Sequence, residues 1–141
     1  MSDVVFVDTN ILIYAHDVEA GLKRARSIET LAQLWDSGCG ALSVQVLQEF
    51  YVNVTQKLRT PIARSIAREV VGTYGLWVRE VTTPDTVTRA THLSELAQIS
   101  FWDAMIVASA EQTGARQLYS EDLNAGQTIA GILIVDPFAR A

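Results

Sequence analysis

Val4-Val5-Phe6-Val7-Asp8-Thr9-Asn10-Ile11-Leu12-Ile13-Tyr14-Ala15 is the stretch on which the fold turns. Val4–Val7 is a short, uninterrupted apolar run, the pattern of a strand buried on both faces, and Asp8 closes it. Asn10–His16 continues as a first helical turn or two, with Thr9 or Asn10 as its cap. A buried strand running straight into a helix opens an α/β unit, and the rest of the chain repeats the alternation. Gly21–Ser37 reads as a helix with Leu22, Ile28, Leu31, Leu34 and Trp35 on its apolar side, stopped by Gly38. Gly40–Ser43 is a second strand. Val44–Lys57 is an amphipathic helix whose Leu47, Phe50, Tyr51, Val54 and Leu58 follow three- and four-residue steps. Pro61 opens another helix, which Gly75 ends. Trp77–Val81 is expected as a third strand, and Thr83-Pro84-Asp85 starts a helix running to about Gln98. Ser100 caps Phe101–Thr113, which is apolar nearly all round and therefore expected in the middle of the fold. Gln117–Tyr119 and Ile132–Val135 supply the fourth and fifth strands. The predicted class is α/β, a central parallel sheet of about five strands flanked by helices.

The chain has 141 residues, 49% of them hydrophobic and 19% charged, enough for one domain over residues 1–141 with its own core. There is no repeat, no linker-like stretch and no low-complexity segment. Cys39 is the only cysteine, which excludes an intrachain disulfide and a cysteine-based zinc site. His16 and His92 form no metal-binding pair at helical spacing. Apolar runs reach only about five residues against the roughly 18 that a membrane span needs. The opening MSDVVFVD lacks the basic and apolar regions of an export signal, so a cytoplasmic chain is expected.

The net charge of −5 argues against a generic nucleic-acid binder. Its distribution is less one-sided. Lys57, Arg59, Arg64 and Arg68 occur with no acid among them, and nine of the eleven cations are arginines, suited to forked contacts with phosphate. This stretch reads either as a solvated helix face or as a phosphate track, to which Arg116 could add.

In open α/β sheets ligands bind beyond the carboxyl ends of the strands. Asp8 follows the first strand, Asp122 follows Gln117–Tyr119, and Asp136 follows Ile132–Val135. Glu49 and Asp103 lie near helix starts. Each has an ordinary structural role. Asp8 serves as a helix cap, and Asp103 stands three residues after Ser100, at capping-box spacing. Glu49 lies opposite the Leu47–Phe50–Val54 stripe, where a solvent-facing side chain is usual. Asp122 and Asp136 suit turns, and Glu121 is expected to be exposed. Together, Asp8, Glu49, Asp103 and Asp122 could meet at one edge of the sheet. Such a cluster raises its members' pKa values unless a cation compensates it. All-oxygen ligands suit Mg²⁺, or Mn²⁺, and phosphoryl-transfer chemistry.

Four blocks now carry a resemblance: VVFVDTNILIYA, LSVQVLQEFYVNVT, FWDAMIVASAEQTG and LYSEDLNAGQTIAGILIVDPF. They lie in order from residue 4 to residue 138. The chain resembles PIN-domain ribonucleases, specifically VapC-type toxins of toxin–antitoxin pairs. The resemblance assigns the four acids to Asp8, Glu49, Asp103 and Asp122, with no acid missing. Thr9, Asn10 and Ser120 match supporting positions, and Ser120 stands where Thr is commoner. Membership implies an Mg²⁺-dependent endoribonuclease acting on single-stranded or looped RNA such as tRNA or rRNA, leaving a 5′-phosphate and a 3′-hydroxyl. It implies Asp8 and Asp103 as direct ligands of the main ion. It implies Glu49 and Asp122 as holders of a second ion or the attacking water. It also implies a homodimer and a small cognate antitoxin. Neutralising the four acids would bring the net charge from −5 to −1. Trp35, Trp77 and Trp102 could stack on bases, but each fits an apolar pattern and is expected in the core.

A receiver domain needs an acidic pair after the first strand and a lysine after the last. Here Asp8 stands alone, and Lys23 and Lys57 fall in helices. Haloacid-dehalogenase phosphatases need a second Asp where Asn10 stands. The remaining alternative is a catalytically silent PIN fold acting as a protein- or RNA-binding module.

Overall fold

The computed structural model describes residues 3–139. A five-stranded sheet runs in the order β2-β1-β3-β5-β4, formed by Gly40–Ala41, Val5–Val7, Gln117–Tyr119, Ile132–Val135 and Thr128–Ile129. All pairings are parallel except that of β4 with β5. Six α-helices connect or flank the strands: α1 Thr9–Ala15, α2 Leu22–Ser37, α3 Val44–Val52, α4 Arg64–Tyr74, α5 Pro84–Ala97 and α6 Phe101–Gln112. The α/β class and the five-stranded sheet follow the sequence expectation.

Strand β1 is buried over all three residues, and Phe6, Phe50, Ile11, Leu12, Leu42 and Ile106 are among the side chains removed from solvent. Each large apolar side chain buried in this way contributes roughly 1.5–3 kcal/mol relative to exposure. Helix α6 is buried continuously from Ala104 to Ala110, as its all-round apolar pattern predicts. Helix α3 passes without a break into a π-helical turn at Asn53–Lys57, so the predicted Val44–Lys57 helix has two hydrogen-bonding patterns.

Several elements differ from expectation, among them the helix expected to open at Pro61, which begins at Arg64 with Ala63 as its cap. Trp77–Val81 is not a strand: Gly75–Trp77 forms a 3₁₀ turn, and only the Leu42–Val78 bridge joins this segment to the sheet. The Trp77 ring packs against Trp35 and Tyr74 and lies over Gly40, and Val81 is 75% exposed. The fifth strand is instead β4, turned back on β5 by Ala130 and Gly131, both at positive φ. The first helix starts at Thr9, one residue earlier than expected; Asp8 is its cap, the ordinary role the sequence suggests for it, and Thr9 and Asn10 lie inside the helix.

Candidate active site

Parallel register builds the centre of the site. Val7 pairs with Tyr119, so the next residues, Asp8 and Ser120, emerge side by side at the carboxyl ends of β1 and β3. The Ser120 hydroxyl donates to Asp8 Oδ2 at 2.7 Å. The Thr9 amide donates to Asp8 Oδ1 at 2.7 Å, so the same carboxylate caps α1. Ser120 Oγ in turn accepts from the amides of Asp122 and Leu123, drawing the chain after β3 into a tight turn.

The other acids are tied to this centre through the supporting residues. The Thr9 hydroxyl donates to Glu49 Oε1 at 2.6 Å. Asn10 Nδ2 donates to Asp122 Oδ2 at 3.1 Å and, more weakly, to Asp8 Oδ2 at 3.4 Å. Glu49 is half-buried and turned toward Thr9, not solvent-facing as expected from its position on α3. Asp103 lies in the first turn of α6, where the Ser100 hydroxyl accepts from its amide at 3.1 Å.

The electrostatics follow from this convergence. Burial pushes Asp8 up to about 6, against the lowering effect of its Ser120 and Thr9 hydrogen bonds, and the Asp122 and Glu49 charges raise it further. Asp103 is raised by partial burial, and again by Asp122 and Glu49, while Ser100 opposes the shift. Asp8 and Asp103 therefore both feel the charges of Asp122 and Glu49. No basic side chain acts to lower Asp8 or Asp103 among the described residues. Nor do any three carboxylates among those residues stand gathered around a single point as a finished ion cage. Thr9, Asn10 and Ser120 act as spacers between them.

Two participants escaped the sequence reading. Gln45, one turn before Glu49 on α3, donates through Nε2 to Glu49 Oε2 and to the Trp102 carbonyl, both at 3.3 Å. Its Oε1 is buried with no partner among the described residues. Glu121, expected to be exposed, is half-buried: Tyr14 donates to its Oε1 at 2.5 Å and Lys23 pairs with Oε2. Burial acts to raise Glu121, but the Lys23 and Tyr14 hydrogen bonds outweigh it and hold the carboxyl below its usual range. Only helical spacing, Tyr14 four residues after Asn10 and Gln45 four before Glu49, signalled either residue.

Lys57, Arg59, Arg64 and Arg68 are exposed. Arg59 faces Glu19 at 3.8 Å. Arg68 borders a groove lined by Val44, Leu47, Tyr51 and Val52 of α3, a different side of that helix from Gln45 and Glu49. Trp77 belongs to the core, as expected. Trp102 corrects that expectation: it is 62% exposed, because its position in the first turn of α6 precedes the buried part of that helix. Trp35 lies at the edge of the core, 36% exposed.

No curated protein sequence matches the chain. Solved structures similar in fold include a toxin–antitoxin complex from Klebsiella pneumoniae, 20% identical, covering 95% of this chain and 98% of that one with a TM-score of 0.68. VapC20 of Mycobacterium tuberculosis, a sarcin-ricin loop cleaving toxin, is 21% identical over 84% of this chain and 89% of that one, with a TM-score of 0.60. VapBC2 of Rickettsia felis, bound to a DNA fragment from its promoter, is 17% identical over 93% and 96%, with a TM-score of 0.61. The PIN domain model matches residues 5–128. The order of helices and strands thus agrees with a family match spanning most of the chain, and the chain belongs to the PIN domain family.

Proposed function

We propose that the chain is an Mg²⁺-dependent endoribonuclease toxin that cuts structured or looped RNA, inhibits translation and is neutralised by a cognate antitoxin. One observation carries this reading: Thr9, Asn10 and Ser120 tie Glu49, Asp122 and Asp8 into one hydrogen-bonded group around a buried carboxylate.

The donor set fits a hard divalent cation. Asp8, Glu49, Asp103 and Asp122 offer only oxygens, and the Asp122 and Glu49 charges that raise Asp8 and Asp103 are what such a cation, Mg²⁺ or Mn²⁺, would offset. The orphaned Gln45 Oε1 adds a buried acceptor beside Glu49, suited to a proton donor such as water. Asp8 and Asp103 would hold the main ion; Glu49 and Asp122 would hold a second ion or the attacking water. When bound, the cation lowers the pKa of water and neutralises charge on the scissile phosphate. Ser120 and the Thr9 amide fix the Asp8 carboxylate, Thr9 and Gln45 orient Glu49, and Asn10 orients Asp122. Water attacking phosphorus in line displaces the O3′ oxygen, leaving a 5′-phosphate and a 3′-hydroxyl.

For RNA, Lys57, Arg64 and Arg68 offer exposed charge for phosphates, and Trp102 an exposed indole beside Asp103. Toxin–antitoxin complexes among the structures of like fold support an antitoxin partner. A homodimer belongs to the same reading, and the apolar α3 groove is a surface that a protein partner would cover. No helix among the described residues is long and apolar enough to cross a membrane.

The alternative, a PIN fold that binds protein or RNA without turnover, draws on the absence of a finished ion cage among the described residues. Total-RNA cleavage with end mapping separates the two. Wild type and Asp103→Asn are compared in Mg²⁺ and in EDTA. A few discrete 5′-phosphate ends, lost in the variant and in EDTA, are expected. RNA binding without cleavage by the metal-loaded, antitoxin-free chain would favour the binding module.

A further inference from the structure

Helix α1 grips the turn after β3 at two levels. Asn10 Oδ1 accepts from the Glu121 amide at 3.2 Å, while its Nδ2 donates to Asp122 Oδ2. One helical turn later, on the same face, Tyr14 donates to the Glu121 carboxylate. Lys23 of α2 pairs with the other oxygen of that carboxylate. Its ammonium also lies 5.1 Å from the Tyr14 ring centre and 5.7 Å from that of Phe138, and the two rings meet edge to face. Glu121 is thus held by backbone and side chain together, from two helices. Its carboxylate bonds to Tyr14 and Lys23, whereas that of its neighbour Asp122 bonds to Asn10 within the acidic group.

Stability is a poor account of this arrangement. The Lys23 and Glu121 side chains are 45% and 23% exposed, and exposed ion pairs contribute little to folding. Burying Leu123 and the Ser120 cap already close the turn. What the extra contacts add is direction. A carboxylate at 121 left free would have the reach and charge to compete with Asp122 for a cation, and Asp122 itself is exposed, with Asn10 as its side-chain partner.

We propose that Tyr14, Lys23 and Glu121 form a positioning clamp that keeps Asp122, rather than Glu121, facing Asp8 for divalent-cation binding. The inference rests on the reading of Asp122 as part of the cation site. The three are positioning residues, acting through Asn10 and Asp122. Groups that orient ligands in this way typically change metal affinity by roughly 10–100-fold when removed.

Mn²⁺ titration calorimetry on the full chain tests it, alongside thermal unfolding. Tyr14→Phe and Glu121→Ala are expected to weaken Mn²⁺ binding by about tenfold or more. Glu121→Gln, which keeps an acceptor for Tyr14, should recover part of the loss. In an Asp122→Asn background Glu121→Ala should add no further loss, whereas a general loosening of the fold would add the same loss in either background. In the metal-free chain, Glu121→Ala should shift the Asn10 side-chain amide resonances. Wild-type affinity in both Tyr14→Phe and Glu121→Ala would overturn the clamp and leave the cation site standing. Undiminished loss in the Asp122→Asn background would overturn it as well. A wild-type chain that binds no Mn²⁺ would overturn the cation site itself, and with it the clamp.

Discussion

Asp8 is 5% exposed, and its pKa lies at about 6 against an ordinary 3.8, so at neutral pH it is ionised against its surroundings. Two pKa units correspond to about 3 kcal/mol of folding free energy. The folded-state value is the raised one. The destabilisation is therefore absent below about pH 4, builds as pH rises toward 6, and stays constant above it. Asp8→Asn retains the bond from the Thr9 amide but sets an Nδ2 donor against the Ser120 hydroxyl, whose lone pairs already accept from the Asp122 and Leu123 amides, a cost that does not depend on pH. Thermal unfolding of the metal-free proteins should show the variant gaining on wild type by about 2 kcal/mol between pH 4.5 and pH 7.5. A gap equal at both pH values would exclude ionisation as the cause. Asp8 and Asp122 stand out in the sequence because strand ends of a parallel sheet are where ligands gather; Glu49 and Asp103, on helices α3 and α6, join them through the family resemblance. Gln45 carries no charge to draw notice, and Glu121 follows Ser120 in a turn where acids are usually solvated. What Glu121 does depends on Tyr14 and Lys23, brought to it only by tertiary packing.

At the level of elements, β2 is defined as much by the ring beside it as by its pairing with β1. A Cβ on Gly40 would fall 2.7 Å from three atoms of the Trp77 ring. That ring lies 4.7 Å from Trp35 and 4.9 Å from Tyr74, so it has no room to retreat. Gly40→Ala should destabilise the chain by about 1–3 kcal/mol, seen as a lower urea midpoint at unchanged slope. Gly72→Ala, inside α4 with open space around its Cβ, is the contrasting case and should be neutral or stabilising by up to ~1 kcal/mol. The same aromatic cluster explains why Trp77–Val81 is not a strand. Its apolar residues serve ring packing, which a local hydrophobic pattern cannot distinguish from sheet pairing. The β4–β5 turn was hidden for a different reason: Ala130, at φ 52°, is not a residue that announces a left-handed turn. Helices α2, α5 and α6, and α3 taken together with its π-helical turn, by contrast fall within a residue or two of their sequence signals, because caps, glycine stops and apolar stripes act locally.

For the whole molecule, the excess of five negative charges includes a concentrated contribution from the acidic group. Binding of a divalent cation to the folded chain alone should raise its apparent stability, by about 2.7 kcal/mol at a hundredfold excess over Kd. Mn²⁺ is expected to raise Tm in wild type and to do so far less in Asp103→Asn, with NaCl at matched ionic strength as the reference. An equal rise in both would place the effect on general charge screening. The described sheet, meanwhile, ends on two strands of two residues each. On the β2 side the outward groups are already engaged: Arg79 donates to the Gly40 carbonyl through Nε and Nη2, and the Leu42 amide donates to the Trp77 carbonyl. That rim therefore offers a foreign strand no free template on which to propagate, and an unpartnered chain is guarded there against runaway β-stacking. At that rim recognition is left to helix surfaces, where side chains rather than uniform backbone decide which neighbour is admitted.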